Sequence, residues 1–129
     1  MKIQKSSQDY LESMLMMQQE HGYIRSIDVA EHLGVTKPSV SYATKRLREN
    51  GYIAVDGEGN LTLLEPGREI AERIYSRHRL LTHFFVQLGV DEQTAAEDAC
   101  KAEHILSEQT LEKIRESALR NDAAHPQAK

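Results

Sequence analysis

Residues 26–47 read SIDVAEHLGVTKPSVSYATKRL and decide the architecture predicted for this chain of 129 residues. Apolar residues recur at three- and four-residue steps on both sides of Gly34, a pattern typical of two amphipathic helices joined by a short turn. Ser26 is suited to cap the first helix and Gly34 to end it. Thr36 is suited to cap the second helix, and Pro38 lies in its first turn, where the missing N–H breaks no helical hydrogen bond. The stretch therefore predicts two helices packed through a tight turn.

The two faces of the second helix differ in chemistry. Val40, Ala43 and Leu47 are expected to face the first helix, whereas the opposite face is polar and basic. The N-terminal part of a helix in this arrangement can reach base edges in the major groove, and hydroxyl and cationic groups bind phosphates. The residues predicted to contact DNA are Thr36, Lys37, Pro38, Ser39, Ser41, Tyr42, Lys45, Arg46 and Arg48. A helical hairpin with a basic solvent-exposed face is the plainer alternative.

The hydrophobic period changes after Gly51. Residues 52–55 (YIAV) and 61–64 (LTLL) are two short β-type runs, and the DGEGN between them is a strong turn signal. Two helices joined by a turn and followed by a two-stranded ribbon form the winged helix-turn-helix arrangement, which binds DNA. Asp56 and Glu58 place negative charge at the tip of the ribbon, so we expect this wing to add little DNA affinity.

Helical spacing covers most of the remaining chain. The further predicted helices span about residues 6–20, with Ser6 or Ser7 as N-cap, and 66–89, 92–106 and 108–119. The predicted fold class is therefore mainly α with a small β-hairpin. The predicted domains are a winged helix-turn-helix domain at residues 1–70, an α-helical domain at 71–120 and a disordered tail at 121–129.

The charges are unevenly distributed along the chain, whose net charge is −4. Residues 36–48 contain four basic and no acidic residues, whereas residues 91–112 contain seven acidic residues and one lysine. A single chain with so few basic residues would bind DNA weakly, so we expect a homodimer that binds two half-sites. The sequence shows neither a membrane-spanning apolar run nor a signal peptide, and its one cysteine cannot form an internal disulfide. We therefore expect a cytoplasmic protein.

A second set of residues has the chemistry of metal ligands. Asp9 and Glu12 are three residues apart and share a face of the first predicted helix. Cys100, Glu103 and His104 stand at positions i, i+3 and i+4 of a later predicted helix. Carboxylates, imidazoles and a thiolate that converge from separate helices can bind a first-row divalent cation. Taken singly, the acids are also typical of a solvated face, and the thiol of a small core residue.

Four motifs make the chain similar to a family of metal-dependent regulators that includes the diphtheria toxin repressor, the mycobacterial iron-dependent regulators and the manganese transport repressor. They are SQDYLE at 7–12, VAEHLGVTKPSVS at 29–41, RHRLL at 77–81 and ACKAEHILSE at 99–108. The resemblance implies a winged-helix domain followed by a helical metal-binding and dimerisation domain, without the SH3-like domain of the longer members. It also implies a homodimer that binds double-stranded operator DNA and represses iron or manganese homeostasis genes, with the metal as co-repressor.

The resemblance further implies a set of metal ligands, which are Asp9, Glu12, His78, Cys100, Glu103 and His104. Asp9 and Glu12 match the manganese branch of the family, Cys100 matches the iron branch, and the other three match both. A soft thiolate draws selectivity from manganese toward iron, so Fe(II) is favoured and Mn(II) is a close second. One or two ions would bind per protomer.

Three other functions stay open at this point. The chain could be a winged-helix regulator whose metal site is structural or absent, or a dimeric scaffold that does not bind DNA. It could also be a metalloenzyme, because carboxylates and histidines build catalytic centres as well. No residue stands out as a nucleophile or general base beyond the ligands, and the sequence has no glycine-rich phosphate loop, so we do not expect an enzyme.

Overall fold

The computed structural model describes residues 4–124. Its helices and strands are, in chain order, α1 (Lys5–His21), β1 (Ile24–Arg25), α2 (Ser26–Leu33), α3 (Lys37–Glu49), β2 (Ile53–Val55), β3 (Asn60–Leu63), α4 (Glu65–Gln87), α5 (Glu92–Ala102) and α6 (Glu108–Ala124). Helices dominate and the strands are short, so the predicted fold class is confirmed. Between Arg73 and Ile74, within α4, the chain divides into two compact units. No helix within 4–124 is long and apolar enough to cross a membrane.

The first unit packs α1, α2 and α3 together with a small sheet. The apolar side of α1 is buried through Leu11 and Met14, which expose none of their surface. Val29 of α2 and Val40 of α3 are buried in the same unit. Burial of apolar surface is the main favourable contribution to folding. These residues therefore determine which side of α3 remains exposed to solvent.

The sheet of the first unit has three strands rather than the predicted two. The strands lie in the order β1-β3-β2 and pair antiparallel, with Ile24 opposite Leu61 and Ile53 opposite Leu63. The predicted two-stranded ribbon is confirmed as β2 and β3. The third strand, β1, was not predicted because it has only two residues, too few to show a period of two in the sequence. Hydrogen bonding to β3 is what defines β1 as a strand.

The turn between α2 and α3 is built as its sequence indicates. Gly34 has a left-handed backbone with a φ of 67°, a conformation that favours glycine. The Thr36 side chain accepts a hydrogen bond from the Ser39 N–H at 3.2 Å, which confirms Thr36 as the N-cap of α3. Both features fix the chain direction between the two helices.

Other details of these helices differ from the predictions. Ser26 is the first residue of α2 rather than its N-cap, and α1 already begins at Lys5, so neither predicted serine caps it. Inside α3, Thr44 is buried while Ala43 is only half-buried. The Thr44 hydroxyl donates to the Ser41 carbonyl at 3.1 Å, and this bond satisfies the polar group that the helix packs inward.

Helix α4 starts in close contact with the residue that precedes β2. A Cβ atom at Gly67 would lie 2.2 Å from the carbonyl oxygen of Tyr52, which is much closer than two such atoms can approach. The same carbonyl accepts a hydrogen bond from the Leu64 N–H at 3.0 Å. Gly67 therefore allows the backbone of α4 to approach Tyr52, and a larger residue would push it away.

The second unit is helical, and its core contains Leu81, Ala99 and Leu111. Leu80, Phe85, Ala102, Leu106 and Ile114 pack around these three residues. Helix α5 ends at Ala102, short of residue 106, where the sequence predicts its end. The apolar periodicity continues past the helix because Leu106 packs on the same core from the turn between α5 and α6.

Helix α6 extends beyond its predicted end. It continues to Ala124, so residues 121–124 are helical rather than part of the predicted tail. The Asp122 carboxylate lies 2.9 Å from Nε2 of His83 and accepts a hydrogen bond from the Gln87 side-chain amide at 2.9 Å. These polar contacts with α4 support the last turn, and apolar periodicity does not reveal them. The rest of the predicted tail, 125–129, lies outside the described residues.

Candidate metal centre and nucleic-acid interface

The side chains predicted to contact DNA all lie at the surface of the first unit. They are Thr36, Lys37, Pro38, Ser39, Ser41, Tyr42, Lys45, Arg46 and Arg48. Tyr42 is 63% exposed, which is high for an aromatic residue. The Arg46 guanidinium donates to the Tyr42 hydroxyl at 3.1 Å and lies 5.7 Å from the centre of its ring. The aromatic ring is thus held at the solvent side of α3 by a neighbour one turn away.

A polar cleft lies beside α3 in the first unit. Its volume is about 450 Å³, and its lining includes Ser7, Tyr10, Ser39, Arg46 and Asn50. Hydroxyl groups and a guanidinium can bind phosphate oxygens. The sequence pattern does not reveal this cleft, because α1 and α3 contribute lining residues that lie far apart in the chain, as Tyr10 and Ser39 do.

The acidic wing turn uses part of its charge internally. Oδ1 of Asp56 accepts hydrogen bonds from the backbone N–H of Asn60 at 3.0 Å and of Glu58 at 2.8 Å. The two bonds, that of Asn60 first, hold the pKa of Asp56 below its ordinary value. The Asn60 side chain donates to Oδ2 of the same carboxylate at 3.2 Å. Asp56 is therefore a structural residue of the turn, and the exposed Glu58 supplies the outward negative charge.

Two of the predicted metal ligands lie together on α1, in the first unit. One ligand atom of Asp9 and one of Glu12 lie within 4.8 Å of each other. Glu12 is buried, with 6% of its surface exposed, and Asp9 is also shielded on one side by the Lys5 ammonium, 3.2 Å from its Oδ2. Burial of a carboxylate is unfavourable unless neighbouring groups or a cation compensate its charge. The pair is therefore more than a solvated acidic face.

Three further predicted ligands meet in the second unit. The Glu103 carboxylate is fully buried, and its Oε2 lies 3.4 Å from Nδ1 of His78 on α4. Its Oε1 lies 3.4 Å from Nε2 of His104, whose side chain is 3% exposed. A buried carboxylate between two imidazoles is the kind of donor group that binds first-row divalent cations.

The sixth predicted ligand, Cys100, is placed differently from the other five. Helix α5 ends at Ala102, short of Glu103 and His104, although Glu103 keeps helical dihedrals and its N–H donates to the Ala99 carbonyl at 2.9 Å. The Cys100 side chain is exposed, which also excludes the alternative that it is a core residue. Its role as a ligand stays a prediction.

Arg77 of the second unit lies in the RHRLL motif but is not among the predicted ligands. Its guanidinium donates to the backbone carbonyl of Glu103 at 3.2 Å and pairs with the Glu108 carboxylate at the start of α6. Arg77 precedes His78 on α4, so two consecutive residues hold Glu103, one by its main chain and the other by its carboxylate. Only the order R-H in RHRLL hints at this, and it does not identify the partner.

The donor atoms in both units fit a divalent transition metal. Carboxylate oxygens and imidazole nitrogens suit Mn(II) and Fe(II), and the buried Glu12 and Glu103 need positive charge nearby. Each unit therefore contains donor atoms of the type that such a cation prefers.

Comparisons with known proteins agree with this chemistry. The family model of the iron-dependent repressor N-terminal DNA binding domain matches residues 2–61, and that of the iron-dependent repressor metal binding and dimerisation domain matches residues 64–126. An uncharacterized HTH-type transcriptional regulator of Methanocaldococcus jannaschii is 35% identical over 88% of this chain and 92% of its own length. The HTH-type transcriptional regulator MntR of Bacillus subtilis is 35% identical over 84% of this chain and 77% of its own length.

Solved structures show the same fold. A manganese-dependent transcriptional repressor in complex with manganese has a TM-score of 0.80 at 29% identity, over 87% of this chain and 52% of that chain. The IdeR of T. acidophilum has a TM-score of 0.79 at 21% identity, over 91% of this chain and 55% of that chain, and it supports the fold alone. This chain thus spans about half the length of these two solved proteins.

Proposed function

Since this chain belongs to the iron-dependent repressor family, whose members are DNA-binding transcriptional regulators and not enzymes, we propose that it represses genes of iron or manganese homeostasis when it binds a divalent cation. The observation that carries this proposal is the buried Glu103 carboxylate between the imidazoles of His78 and His104. All three residues lie in the segment that matches the metal-binding and dimerisation domain.

The proposed ligands are the five oxygen and nitrogen donors Asp9, Glu12, His78, Glu103 and His104. They suit both Mn(II) and Fe(II), for one or two ions per protomer. The argument that favours Fe(II) over Mn(II) depends on the Cys100 thiolate. Since that side chain is exposed, we give the two cations equal standing. Competition between Mn²⁺ and Fe²⁺ under anaerobic conditions would rank them.

Each of the two units contributes proposed ligands. A divalent cation supplies, when bound, the positive charge that compensates the carboxylates. Asp9 and Glu12 belong to α1, in the same unit as the DNA-reading α3, whereas His78, Glu103 and His104 belong to the dimerisation domain. Metal bound by these ligands would restrict the conformations available to the chain, and DNA binding would then cost less conformational freedom.

In the proposed complex, α3 enters the major groove of double-stranded operator DNA. Ser39, Ser41 and Tyr42 would face base edges, and Lys45, Arg46 and Arg48 would contact phosphates. A homodimer would present two such helices to half-sites about 34 Å apart, or a multiple of that spacing. We place this activity in the cytoplasm, where the DNA is accessible.

The test is DNA binding as a function of metal. Duplexes selected from a random library in the presence of Mn²⁺ would be titrated with the protein in Mn²⁺, in Fe²⁺ without oxygen, and in EDTA. We expect tight binding with either metal and a large loss in EDTA. Equal affinity in all three conditions would contradict metal-dependent repression.

A structural metal is the second candidate, and the complete burial of Glu103 favours it, because a buried carboxylate can need a cation for the fold itself. Circular dichroism and thermal unfolding in EDTA separate the two functions. A folded apo protein that has lost only DNA binding supports the regulator. An apo protein that unfolds supports the structural metal.

A further inference from the structure

Lys5, the first residue of α1, forms an ion pair with the proposed ligand Asp9. Its Nζ lies 3.2 Å from Oδ2 of Asp9, one helical turn further along. The Lys5 side chain is 59% exposed and that of Asp9 is 23% exposed. Both residues belong to the first unit.

This ion pair contributes little to the stability of α1. A lysine at a helix N-terminus is repelled by the positive end of the helix dipole, and α1 has no acidic residue in its first turn to offset it. Acid followed by lysine at i and i+4 is the stabilising order, and here the order is reversed. Exposed pairs of this kind are weak in general. The main effect of the Lys5 charge is therefore on the electrostatics of the Asp9 carboxylate.

We propose that Lys5 lowers the affinity of the Asp9 carboxylate for divalent cations and so sets the metal concentration at which the chain responds. This inference rests on the proposed role of Asp9 as a ligand. The Lys5 ammonium places a positive charge next to a donor atom, where it repels a second cation and occupies a lone pair of Oδ2. Its exposed, flexible stem lets it move away when a cation with higher charge takes the carboxylate.

The opposite role would be an orienting one. A group that hydrogen-bonds to a ligating carboxylate can fix its geometry, and removal of such a group weakens metal binding about 10- to 100-fold. Lys5 is poorly suited to this role, because a half-exposed side chain with four rotatable bonds restrains its partner weakly. The two roles predict opposite signs, so one measurement separates them.

The experiment compares Mn²⁺ binding by the full chain and by Lys5→Ala and Lys5→Gln, with free Mn²⁺ followed by electron paramagnetic resonance. We expect both variants to bind Mn²⁺ about two- to fivefold more tightly, as for loss of one exposed charge interaction. Lys113→Ala is the matched control, because Lys113 is another exposed lysine in an ion pair within a helix, at 3.8 Å from Glu116. Unchanged or weaker Mn²⁺ binding by Lys5→Ala would overturn the inference.

A double-mutant cycle with Asp9→Asn locates the effect. If Lys5 acts through Asp9, Lys5→Ala has no effect on Mn²⁺ affinity in the Asp9→Asn background. A gain that persists there overturns the inference, because it assigns the effect to general charge. If Asp9→Asn weakens binding but Lys5→Ala does not strengthen it, only this inference fails. If Asp9→Asn itself leaves Mn²⁺ affinity unchanged, the proposed ligand role of Asp9 fails as well.

Discussion

Oε2 of Glu103 lies 3.4 Å from Nδ1 of His78, across a separation of 25 residues in the chain. This relationship joins the turn after α5 to the middle of α4, and it places a fully buried carboxylate beside an imidazole that is 21% exposed. A charge in such surroundings is stabilised by a cation and is costly without one. Metal binding and the local stability of this turn are therefore expected to be linked.

Replacement of Glu103 by glutamine tests that link. The amide keeps the size of the side chain but loses its charge, so we expect Mn²⁺ affinity to fall at least tenfold. The midpoint of thermal unfolding in EDTA should stay the same or rise, because a buried charge has been removed. Isothermal titration with Mn²⁺ and calorimetric unfolding measure the two effects. Glu116→Gln, at a partly exposed carboxylate of α6, should change neither of them.

Substitution of Arg77 probes the support of the same turn. Arg77→Ala removes the bond to the Glu103 carbonyl and the ion pair with Glu108, so we expect Mn²⁺ affinity to fall about 10- to 100-fold. Arg77→Lys should recover part of the loss, since it keeps the charge but not the planar fork. The Co²⁺ absorption spectrum would report altered ligand geometry. Arg115→Ala, which removes an exposed ion pair within α6, is the control. Equal spectra and affinities for all variants would show that Arg77 does not position the turn.

The thiol of Cys100 can be tested separately. Its side chain is exposed, so we expect Cys100→Ser to leave Mn²⁺ and Fe²⁺ affinity within about twofold. The Co²⁺ complex of the unmodified chain should lack the intense charge-transfer band of a cobalt–thiolate bond. A tenfold loss of Fe²⁺ affinity together with such a band would instead establish Cys100 as the ligand that the sequence predicts.

The salt dependence of DNA binding tests the exposed face of α3. Arg46→Ala removes one proposed phosphate contact, so the slope of log affinity against log salt should become shallower by about 0.9 per protomer. The loss should be similar on the selected duplex and on a random duplex. Tyr42→Phe removes the hydroxyl that Arg46 contacts but keeps the guanidinium, so it should leave the slope unchanged. An unchanged slope for Arg46→Ala would exclude the phosphate contact.

Gly67→Ala tests the close approach of α4 to Tyr52. An alanine inside a helix is ordinarily favoured over glycine by about 1 kcal/mol. Here its Cβ would lie 2.2 Å from the Tyr52 carbonyl oxygen, so we expect a destabilisation of about 1–3 kcal/mol instead. Denaturant unfolding measures the change. Gly57→Ala is the matched control, because a Cβ there meets no atom within 4 Å.

The helix-turn-helix could be predicted from the sequence because it depends on local interactions. These interactions span only one or two helical turns, so neighbouring residues in the sequence reveal them. They are the left-handed Gly34, the Thr36 cap and the spacing of Val40 and Leu47. The candidate ligands could also be identified from the sequence, because each of them lies within one of the short family motifs. The sequence by itself thus determined the helix-turn-helix, the predominance of helices and the residue types available to a metal.

Only the tertiary structure decided how those residues are used. Strand β1 exists through pairing with β3, and Glu103 meets His78 and Arg77 through contacts that no local pattern records. Helix α5 ends at Ala102, although the apolar pattern continues, because Leu106 reaches the same core from a turn. The physical reason is common to these cases. The burial or strand pairing of a residue depends on which residue, distant in the sequence, packs against it. Hydrophobic periodicity indicates only the face of the helix or strand on which a side chain lies.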